Sequence, residues 1–343
     1  MSKIKLGISI GDLNGIGLEI IIKTFKDIRM MDFCTPIVFG SSKVASIHRK
    51  AILMQDFNFN LINNTKDANP KKVNLLNIFN EDIEINFGKA TTKSGELSFN
   101  SLKKSSDALK NKEIDVLVTA PINKASIQDK ITNFIGHTEF LQGNFEGESF
   151  MIMASEEMKI AFVTGHIPLA EVKKAITTKN IILKTKKLNT SLIEDFGVRM
   201  PKIAILGLNP HAGENGLLGE EENKYIIPAI KELKKEGVMS FGPYPADSFF
   251  TKKNLGNFDG ILSMYHDQGL TAFKTLSFSD GVNFTAGLNI IRTSPVHGTA
   301  YEIAGMGLAN EQSFREAVFM ACEIHKKRTE FKQLNEDPLA FKS

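Results

Sequence analysis

The chain has 343 residues, of which 42% are hydrophobic and 24% charged, a composition typical of a globular protein large enough for two domains. Its 42 basic and 39 acidic side chains nearly cancel, so we expect no nucleic-acid or membrane partner. Two cysteines, Cys34 and Cys322, are too few for a disulfide framework, and no apolar run approaches the ~18 residues of a membrane span. These features together predict a cytoplasmic protein.

The first part of the chain alternates strand and helix patterns. Short apolar runs bounded by turn residues predict strands at 3–10, 35–40 and 114–120. Apolar spacing predicts helices at 18–28 and 98–111. The Asn- and Lys-rich segment 54–96 is interpreted as a peripheral excursion rather than a core unit, with short strands such as VNLLNIF (73–79).

The same alternation continues to the end of the chain. Strands are predicted at 150–155, 159–164, 202–209 and 258–265, with two short strands within 281–294. Helices are predicted at 177–196, 223–236 and 310–328. The alternation indicates an α/β fold with mostly parallel sheets, and the number of units predicts two α/β lobes around a central cleft. We expect 1–130 with 290–343 to form the first lobe and 131–289 the second.

Three histidines each follow an apolar run that is predicted to be a strand: His166, His211 and His266. In α/β sheets, the carboxyl ends of the strands form the edge at which ligands bind. Three neutral imidazoles meeting there would make a metal site with one open position, as in catalytic zinc sites. The alternative is that they are three unrelated loop histidines.

Two further motifs permit both a structural and a functional interpretation. The glycines of GDLNGIGLE (11–19) do not match the dinucleotide fingerprint, so this segment is either a plain tight turn or an anion-binding loop. In GHTEFL (136–141), Thr138 is either a helix N-cap or, together with His137, a donor to a phosphate.

Several charged and polar side chains complete the set of candidates. Asp247 on a Pro-rich loop and Asp267 beside His266 are candidate general bases, and Asp267 could also orient His266. Arg292 is expected at the end of an apolar strand, where a guanidinium suits phosphate recognition. Together with Lys274 and Asn283, it suggests an anionic substrate next to a metal. The acidic run 220–222 is interpreted as a solvated helix start.

These motifs occur in an order that resembles the 4-hydroxythreonine-4-phosphate dehydrogenase family of pyridoxine biosynthesis. The resemblance covers about residues 4–325. The motifs are GDLNGIGLE, GHTEFL, GHIPL, LNPHAGENGLLGEEE, PADSFF, MYHDQGL, the GVNFTAGL stretch and IRTSPVHGTAYEIAGMGLA.

The resemblance implies an isocitrate/isopropylmalate dehydrogenase-like fold and a homodimer whose active site lies at the subunit interface. It implies that His166, His211 and His266 bind one divalent metal, with Zn²⁺ or Co²⁺ favoured by imidazole ligands and Mg²⁺ possible. The implied substrate-binding residues, largely for its phosphate, are His137, Thr138, Lys274, Asn283 and Arg292.

For the cofactor, NAD or NADP, the resemblance implies contacts from a loop near the C-terminus. The residues carried over are His297, Gly298, Thr299, Ala300 and Asn310. The chain departs from the family pattern at Pro295-Val296, where Val-Asp is frequent, and this leaves the preference for NAD or NADP open.

The expected reaction is the metal- and NAD(P)-dependent oxidation of 4-phosphohydroxy-L-threonine, followed by decarboxylation, with Asp247, Asp267 or Lys274 as the base. One alternative is a dehydrogenase for another four-carbon acid phosphate, such as threonate or erythronate phosphate. A phosphate acyltransferase is a more distant alternative, because it predicts neither the histidine triad nor the HGTA loop.

Overall fold

The computed structural model describes residues 3–336, in which strands and helices alternate along the chain. The strands are β1 (Lys5–Ser9), β2 (Thr35–Gly40), β3 (Asn60–Ile62), β4 (Asn74–Asn77), β5 (Val116–Thr119), β6 (Gly147–Ala154), β7 (Lys159–Thr164), β8 (Ile203–Leu206), β9 (Ser240–Tyr244), β10 (Gly260–Tyr265), β11 (Val282–Leu288) and β12 (Arg292–Pro295).

The helices range from single turns to a helix of 25 residues at the end of the described chain. They are α1 (Gly17–Lys26), α2 (Met30–Phe33), α3 (Ser42–Ala51), α4 (Thr92–Lys110), α5 (Lys124–Gln128), α6 (His137–Gln142), α7 (Leu169–Ala175), α8 (Thr178–Glu194), α9 (Ile227–Lys235), α10 (Ala246–Phe249), α11 (Lys252–Leu255), α12 (His266–Ser277) and α13 (Gln312–Glu336). The α/β class predicted from the sequence is confirmed.

The chain divides into two compact units. Unit 1 comprises Met1–Ser149 and Leu288–His325, and unit 2 comprises Phe150–Gly287 and Lys326–Ser343. The sequence-based division differs from these units in two places, because it assigned residues 131–149, which include GHTEFL, to the second lobe and residues 326–343 to the first. In the structure this motif belongs to unit 1.

Unit 1 is built on parallel strands in the order β3-β4-β2-β1-β5-β12. All six residues of β2 and all four of β5 are buried. Parallel sheets are covered on both faces, which explains why these strands are continuous apolar runs rather than alternating patterns. Because the strands are parallel, their carboxyl ends all lie at the same edge of the sheet. The segments that follow β1, β2 and β5 begin at this edge.

Unit 2 contains strands in the order β11-β6-β7-β10-β8-β9. The neighbours β7, β10, β8 and β9 run parallel, and β6 pairs with β7 in the antiparallel sense. Helix α8 packs on this sheet through a buried face that includes Ile181, Leu188 and Leu192, the residues whose spacing predicted it.

The segment 54–96 differs from its sequence-based interpretation. It supplies β3 and β4, which extend the sheet of unit 1, and Leu75 in β4 is completely buried. The interpretation as a peripheral excursion is therefore wrong for these strands. The strand predicted at 73–79 is confirmed as β4, but its pairing with β2 places it in the core, which the mixture of Asn and Leu in its sequence did not indicate.

Within residues 3–336, we find no helix that is both long and apolar enough to cross a bilayer. Cys34 and Cys322 are both buried free thiols. Burial and the neighbouring Cys322 sulfur raise the pKa of Cys34 well above its usual value, so the thiol form is favoured.

Candidate functional site

The three histidines of the predicted metal site follow three neighbouring strands of unit 2. His166 lies two residues after β7, His266 begins α12 directly after β10, and His211 lies in the loop after β8. Because β7, β10 and β8 are adjacent and parallel, these strands end at the same edge of the sheet. The prediction that the histidines follow strand ends is confirmed.

Two of these imidazoles lie side by side. The ring centroids of His166 and His266 are 5.0 Å apart. Nδ1 of His266 lies 2.6 Å from Oδ1 of Asp267. Since a carboxylate only accepts, Nδ1 carries the proton, and in the neutral imidazole Nε2 keeps the lone pair that a metal requires. The expected orientation of His266 by Asp267 is therefore present.

The third histidine lies on a strained loop. His211, Ala212, Glu214 and Asn215 all have left-handed backbone angles, with φ between 41° and 58°. Such conformations cost about 1–2 kcal/mol per non-glycine residue and often occur at functional sites. Within residues 3–336, no group of three or more His, Cys, Asp or Glu side chains is arranged to hold a metal ion. The three-histidine metal site stays a prediction.

Buried carboxylates hold this loop in place. Glu222 is 2% exposed, and its Oε1 accepts hydrogen bonds from the backbone N–H groups of Leu208 (2.7 Å) and Asn209 (2.8 Å). Glu221 accepts from the side chain of Asn209 and pairs with Lys173, and these contacts lower its pKa to about 2. The interpretation of this acidic run as a solvated helix start is therefore wrong for both residues.

The other predicted site residues of unit 2 make few contacts. Asp247 in α10 and Lys274 in α12 are exposed, and neither forms a hydrogen bond or ion pair with the described residues. Asn283 in β11 is half-buried, and its Oδ1 is buried without a hydrogen-bond partner among the described residues. The roles given to them from sequence stay predictions.

In unit 1, the central feature is a buried arginine. Arg292 is 2% exposed, and its Nε and Nη2 donate to Oγ1 of Thr119 at 3.0 and 2.6 Å. The sequence placed it at the exposed end of a strand, and this is wrong, because Arg292 begins β12 and lies opposite Leu117 of β5. Burial lowers the pKa of Arg292 to about 10, while Glu139 acts in the opposite direction. The group remains a cation at neutral pH.

Two more nitrogen groups lie near this arginine. Nε2 of His137 is buried and has no hydrogen-bond partner among the described residues. Burial and the positive charges of Arg292 and Lys124 hold the pKa of His137 well below its usual value. A Cβ built on Gly136 would lie 3.3 Å from Nζ of Lys124, so this ammonium passes over the backbone next to His137. We call Arg292, His137 and Lys124 the basic cluster.

Two members of the basic cluster lie at helix starts, His137 in α6 and Lys124 in α5. His137 is the first residue of α6, whose N-cap is Gly136 rather than Thr138, so the predicted cap is wrong. A Cβ at Gly136 would lie 2.8 Å from Oε2 of Glu139, so this carboxylate also lies close to the backbone next to His137. Lys124 was not predicted as a site residue, although it follows the strong strand signal that ends at β5.

The glycine-rich segment 11–19 proves to be structural. Cβ atoms at Gly11, Gly15 and Gly17 would lie 2.2–2.8 Å from backbone oxygens of Pro121, Thr299 and Ile10, respectively. Residues 11–20 are all buried. The sequence left open whether this segment is a tight turn or an anion-binding loop. Its burial within the described residues favours the tight turn.

The predicted cofactor loop, residues 297–310, contains several unusual features. Nε2 of His297 is buried without a hydrogen-bond partner among the described residues, and burial lowers the pKa of this histidine. A Cβ on Gly298 would meet no atom within 4 Å, so its backbone is open to a ligand. Oδ1 of Asn310 accepts from the N–H of Gln312 at 2.8 Å at the start of α13. A neutral imidazole with a vacant nitrogen and an open backbone suit a polar cofactor.

Comparisons with known proteins agree with this fold. The family model for pyridoxal phosphate biosynthetic protein PdxA matches residues 32–321. A 4-hydroxythreonine-4-phosphate dehydrogenase of Bacteroides thetaiotaomicron is 45% identical over 98% of this chain and 93% of its own length. A Clostridium botulinum relative, provisionally named D-threonate 4-phosphate dehydrogenase, is 38% identical over 94% of this chain and 97% of its own.

A solved structure gives the same result. The 4-hydroxythreonine-4-phosphate dehydrogenase of Klebsiella pneumoniae superimposes with a TM-score of 0.80 at 31% identity, covering 95% of this chain and 98% of that one. An α/β protein with strand-end histidines in one unit and the basic cluster in the other is of the dehydrogenase type that these relatives are named for. The chain belongs to the PdxA family.

Proposed function

We propose that this protein oxidises 4-phosphohydroxy-L-threonine at C3 with NAD⁺ or NADP⁺, in pyridoxine 5′-phosphate biosynthesis. The product, 2-amino-3-oxo-4-(phosphooxy)butanoate, is a β-keto acid and decarboxylates to 3-amino-2-oxopropyl phosphate. The observation that carries the proposal is the basic cluster, a ready site for a phosphate in a chain 45% identical to a relative named for this reaction.

The phosphate would bind to the basic cluster in unit 1. Arg292 offers a charged fork that is already oriented by Thr119, and His137 offers a buried nitrogen that awaits a partner. A phosphate dianion would compensate the positive charges of Arg292 and Lys124, and the neutral imidazole of His137 can donate to it. Thr138, Lys274 and Asn283 keep their proposed substrate-binding roles from the family resemblance.

We assign a divalent metal to His166, His211 and His266. Two observations fit this ligand set: the neighbouring rings of His166 and His266, and the contact of Asp267 with Nδ1 of His266. When bound, such a metal acts as a Lewis acid on the substrate hydroxyl. Imidazole ligands favour Zn²⁺ or Co²⁺ over Mg²⁺.

The cofactor would be held by His297, Gly298, Thr299, Ala300 and Asn310, and it supplies the hydride acceptor. The vacant nitrogen of His297 and the open backbone at Gly298 fit this role. The proton of the C3 hydroxyl passes to a base of the protein. Asp247 is the stronger candidate, because Asp267 is already engaged with His266.

The proposal includes a homodimer in the cytoplasm, with an active site that draws residues from both subunits. The family resemblance is its source. A metal held by histidines of both subunits would also account for the absence of a three-residue metal cluster within residues 3–336 of one chain.

A second candidate function is the oxidation of D-threonate 4-phosphate, which the Clostridium botulinum relative favours. That substrate carries a hydroxyl where 4-phosphohydroxy-L-threonine carries an amino group. The phosphate, metal and cofactor sites would serve both reactions, so these sites do not separate the two functions.

The test is NAD(P)⁺ reduction with each substrate, using chelator-treated protein to which Zn²⁺, Co²⁺ or Mg²⁺ is returned. Metal-dependent turnover of 4-phosphohydroxy-L-threonine is expected. Turnover of threonate phosphate alone would establish the second function instead. Reduction with neither substrate would overturn the dehydrogenase proposal.

A further inference from the structure

The cofactor loop has little regular structure of its own. Within residues 297–310, the helical part is the single turn Tyr301–Ile303. Ala300, Gly305 and Gly307 have positive φ angles of 43°, 77° and 73°. A segment of this kind forms no repeating hydrogen bonds, so contacts with the rest of unit 1 must fix its shape.

Those contacts come largely from α1, through Glu19 and Lys23. Nζ of Lys23 donates to the carbonyl oxygens of Gly307 at 2.8 Å and Ala309 at 2.6 Å. Oε1 of Glu19 accepts from the backbone N–H of Ala309 at 2.8 Å and pairs with Lys23 at 2.8 Å. The two side chains thus hydrogen-bond to the backbone near the end of the loop, Lys23 to carbonyl groups and Glu19 to an N–H group.

The ammonium of Lys23 has no unused donor, whereas Oε2 of Glu19 is buried without a hydrogen-bond partner among the described residues. A lysine ammonium has three N–H donors, and in Lys23 all three are used by two carbonyls and one carboxylate. The Glu19 side chain is 0% exposed and that of Lys23 is 13% exposed. A solvent-exposed ion pair at this helical spacing stabilises a helix by only a few tenths of a kcal/mol. A buried ion pair that hydrogen-bonds to backbone groups also fixes the conformation of the backbone it binds.

The same segment of the chain also contacts the other end of the cofactor loop. The N–H of Ile16 donates to the carbonyl of Thr299 at 3.1 Å, and Gly15 lies against the same oxygen. The glycine-rich segment and the first turns of α1 therefore hold the loop at Thr299 and again at Gly307 and Ala309.

We propose that Glu19 and Lys23 are positioning residues for the cofactor: they fix the conformation of loop 297–310 and so determine the affinity for NAD(P)⁺. This proposal rests on the proposed function, in which that loop binds the cofactor. Neither residue belongs to the basic cluster or to the proposed metal ligands, and their contacts described above lie within unit 1. Their loss should therefore affect cofactor affinity and leave phosphate binding by the basic cluster intact.

The test compares Glu19→Gln and Lys23→Met with the wild-type protein. Glu19→Gln keeps the shape of the side chain and its oxygen but removes the charge that pairs with Lys23. We expect the Kd for NAD(P)⁺, measured by titration calorimetry, to rise about tenfold or more, as for loss of a charged hydrogen bond. The KM for the phosphorylated substrate, and kcat at saturating cofactor, should change by less than about twofold. Loss of a direct interaction worth about 1.4 kcal/mol would instead change affinity about tenfold.

The matched controls are Glu232→Gln and Lys235→Met in α9. These residues form an exposed helical pair of the same charge type, 3.6 Å apart, in the other unit. Both controls should bind NAD(P)⁺ with wild-type affinity. Hydrogen exchange gives a second readout: the amide of Ala309, which Glu19 accepts from, should exchange faster in Glu19→Gln and Lys23→Met but not in the controls.

The outcomes separate the inference from the function. If the wild-type protein binds neither NAD⁺ nor NADP⁺, the cofactor assignment fails and this proposal fails with it. If the wild type binds and the two variants bind equally well, the cofactor assignment stands and the positioning role is overturned. A variant that loses substrate and cofactor affinity together, with a lowered Tm, would show a general structural role and would also overturn it.

Discussion

The basic cluster of unit 1 and the strand-end histidines of unit 2 represent two ways of building a binding site. Arg292 is 2% exposed and fixed by Thr119, and the Nε2 of His137 is buried. His166 and His211, by contrast, are exposed, and His266 is oriented by one neighbouring carboxylate. The core of unit 1 preorganises the first cluster, whereas the proposed metal would complete the second.

The difference has an energetic cause. A buried cation loses its hydration, and hydrogen bonds and opposite charges must compensate the lost hydration free energy. A buried arginine therefore favours an anionic ligand strongly. Exposed imidazoles stay hydrated and can adjust, so metal coordination itself fixes their arrangement. Variants in the basic cluster should therefore alter substrate affinity, and variants among the histidines should alter metal affinity.

The largest effect is expected for Arg292→Met. Removal of a buried charged donor should lower kcat/KM by about a thousandfold, mainly through KM for the phosphorylated substrate. Steady-state kinetics with saturating cofactor and metal would measure it. The exposed Arg199→Met serves as the control. An unchanged KM would show that the phosphate binds elsewhere.

The next largest effect is expected for His211→Ala. Loss of one of three ligands should reduce Zn²⁺ affinity by at least about a hundredfold, because fewer donors then compensate the dehydration of the metal. The metal content after dialysis, determined by mass spectrometry, would measure this directly. Glu220→Gln, at an exposed carboxylate close by, should retain the metal. Full metal content in His211→Ala would contradict the triad.

Asp267→Asn distinguishes the two roles considered for this residue. If Asp267 orients His266, metal affinity should fall about 10- to 100-fold, and excess metal should restore kcat. If it is the general base, kcat should stay low at saturating metal. A metal titration of activity separates these outcomes, and Asp247→Asn run beside it should show the second pattern.

A smaller effect is expected for Lys124→Met. Lys124 is exposed and contributes charge near His137 rather than a buried contact, so KM for the substrate should rise about tenfold or less. The increase should shrink at high salt, because exposed charges are screened. The exposed Lys130→Met is the matched control. Equal behaviour of both variants would remove Lys124 from the basic cluster.

The last prediction concerns stability rather than activity, and it involves a buried histidine of unit 1. His48 is 1% exposed, its Nε2 lies 2.7 Å from the carbonyl of Leu13, and burial lowers its pKa to about 4. The unfolded chain takes up this proton near pH 6.5 and the folded chain does not, so stability falls as the pH drops from 6.5 towards 4. The contribution is up to roughly 3 kcal/mol. His48→Gln should flatten the acid side of the Tm–pH curve, and an unchanged slope would disprove this origin.

The sequence predicted most strands and several of the longer helices of both units, because apolar runs and apolar spacing reflect burial directly. It did not predict β9 or most of the short helices. It also predicted the histidines at strand ends, since each of them follows such a run. It failed for Arg292, which looks like a strand end in sequence but begins β12 beside β5. The prediction that Glu221 and Glu222 are solvated was wrong for a related reason, because nothing in an acidic run of sequence indicates that its side chains are buried.

What the sequence alone determined is therefore the α/β class, the order of the elements, the strand-end histidines and the family. The tertiary structure decided which polar groups are buried and which of them meet. Lys124 joins His137 and Arg292, and Glu19 and Lys23 join residues 307–309, across separations of up to 290 positions. Such contacts depend on the packing of segments that are distant in sequence, so local patterns of hydrophobicity and charge do not predict them.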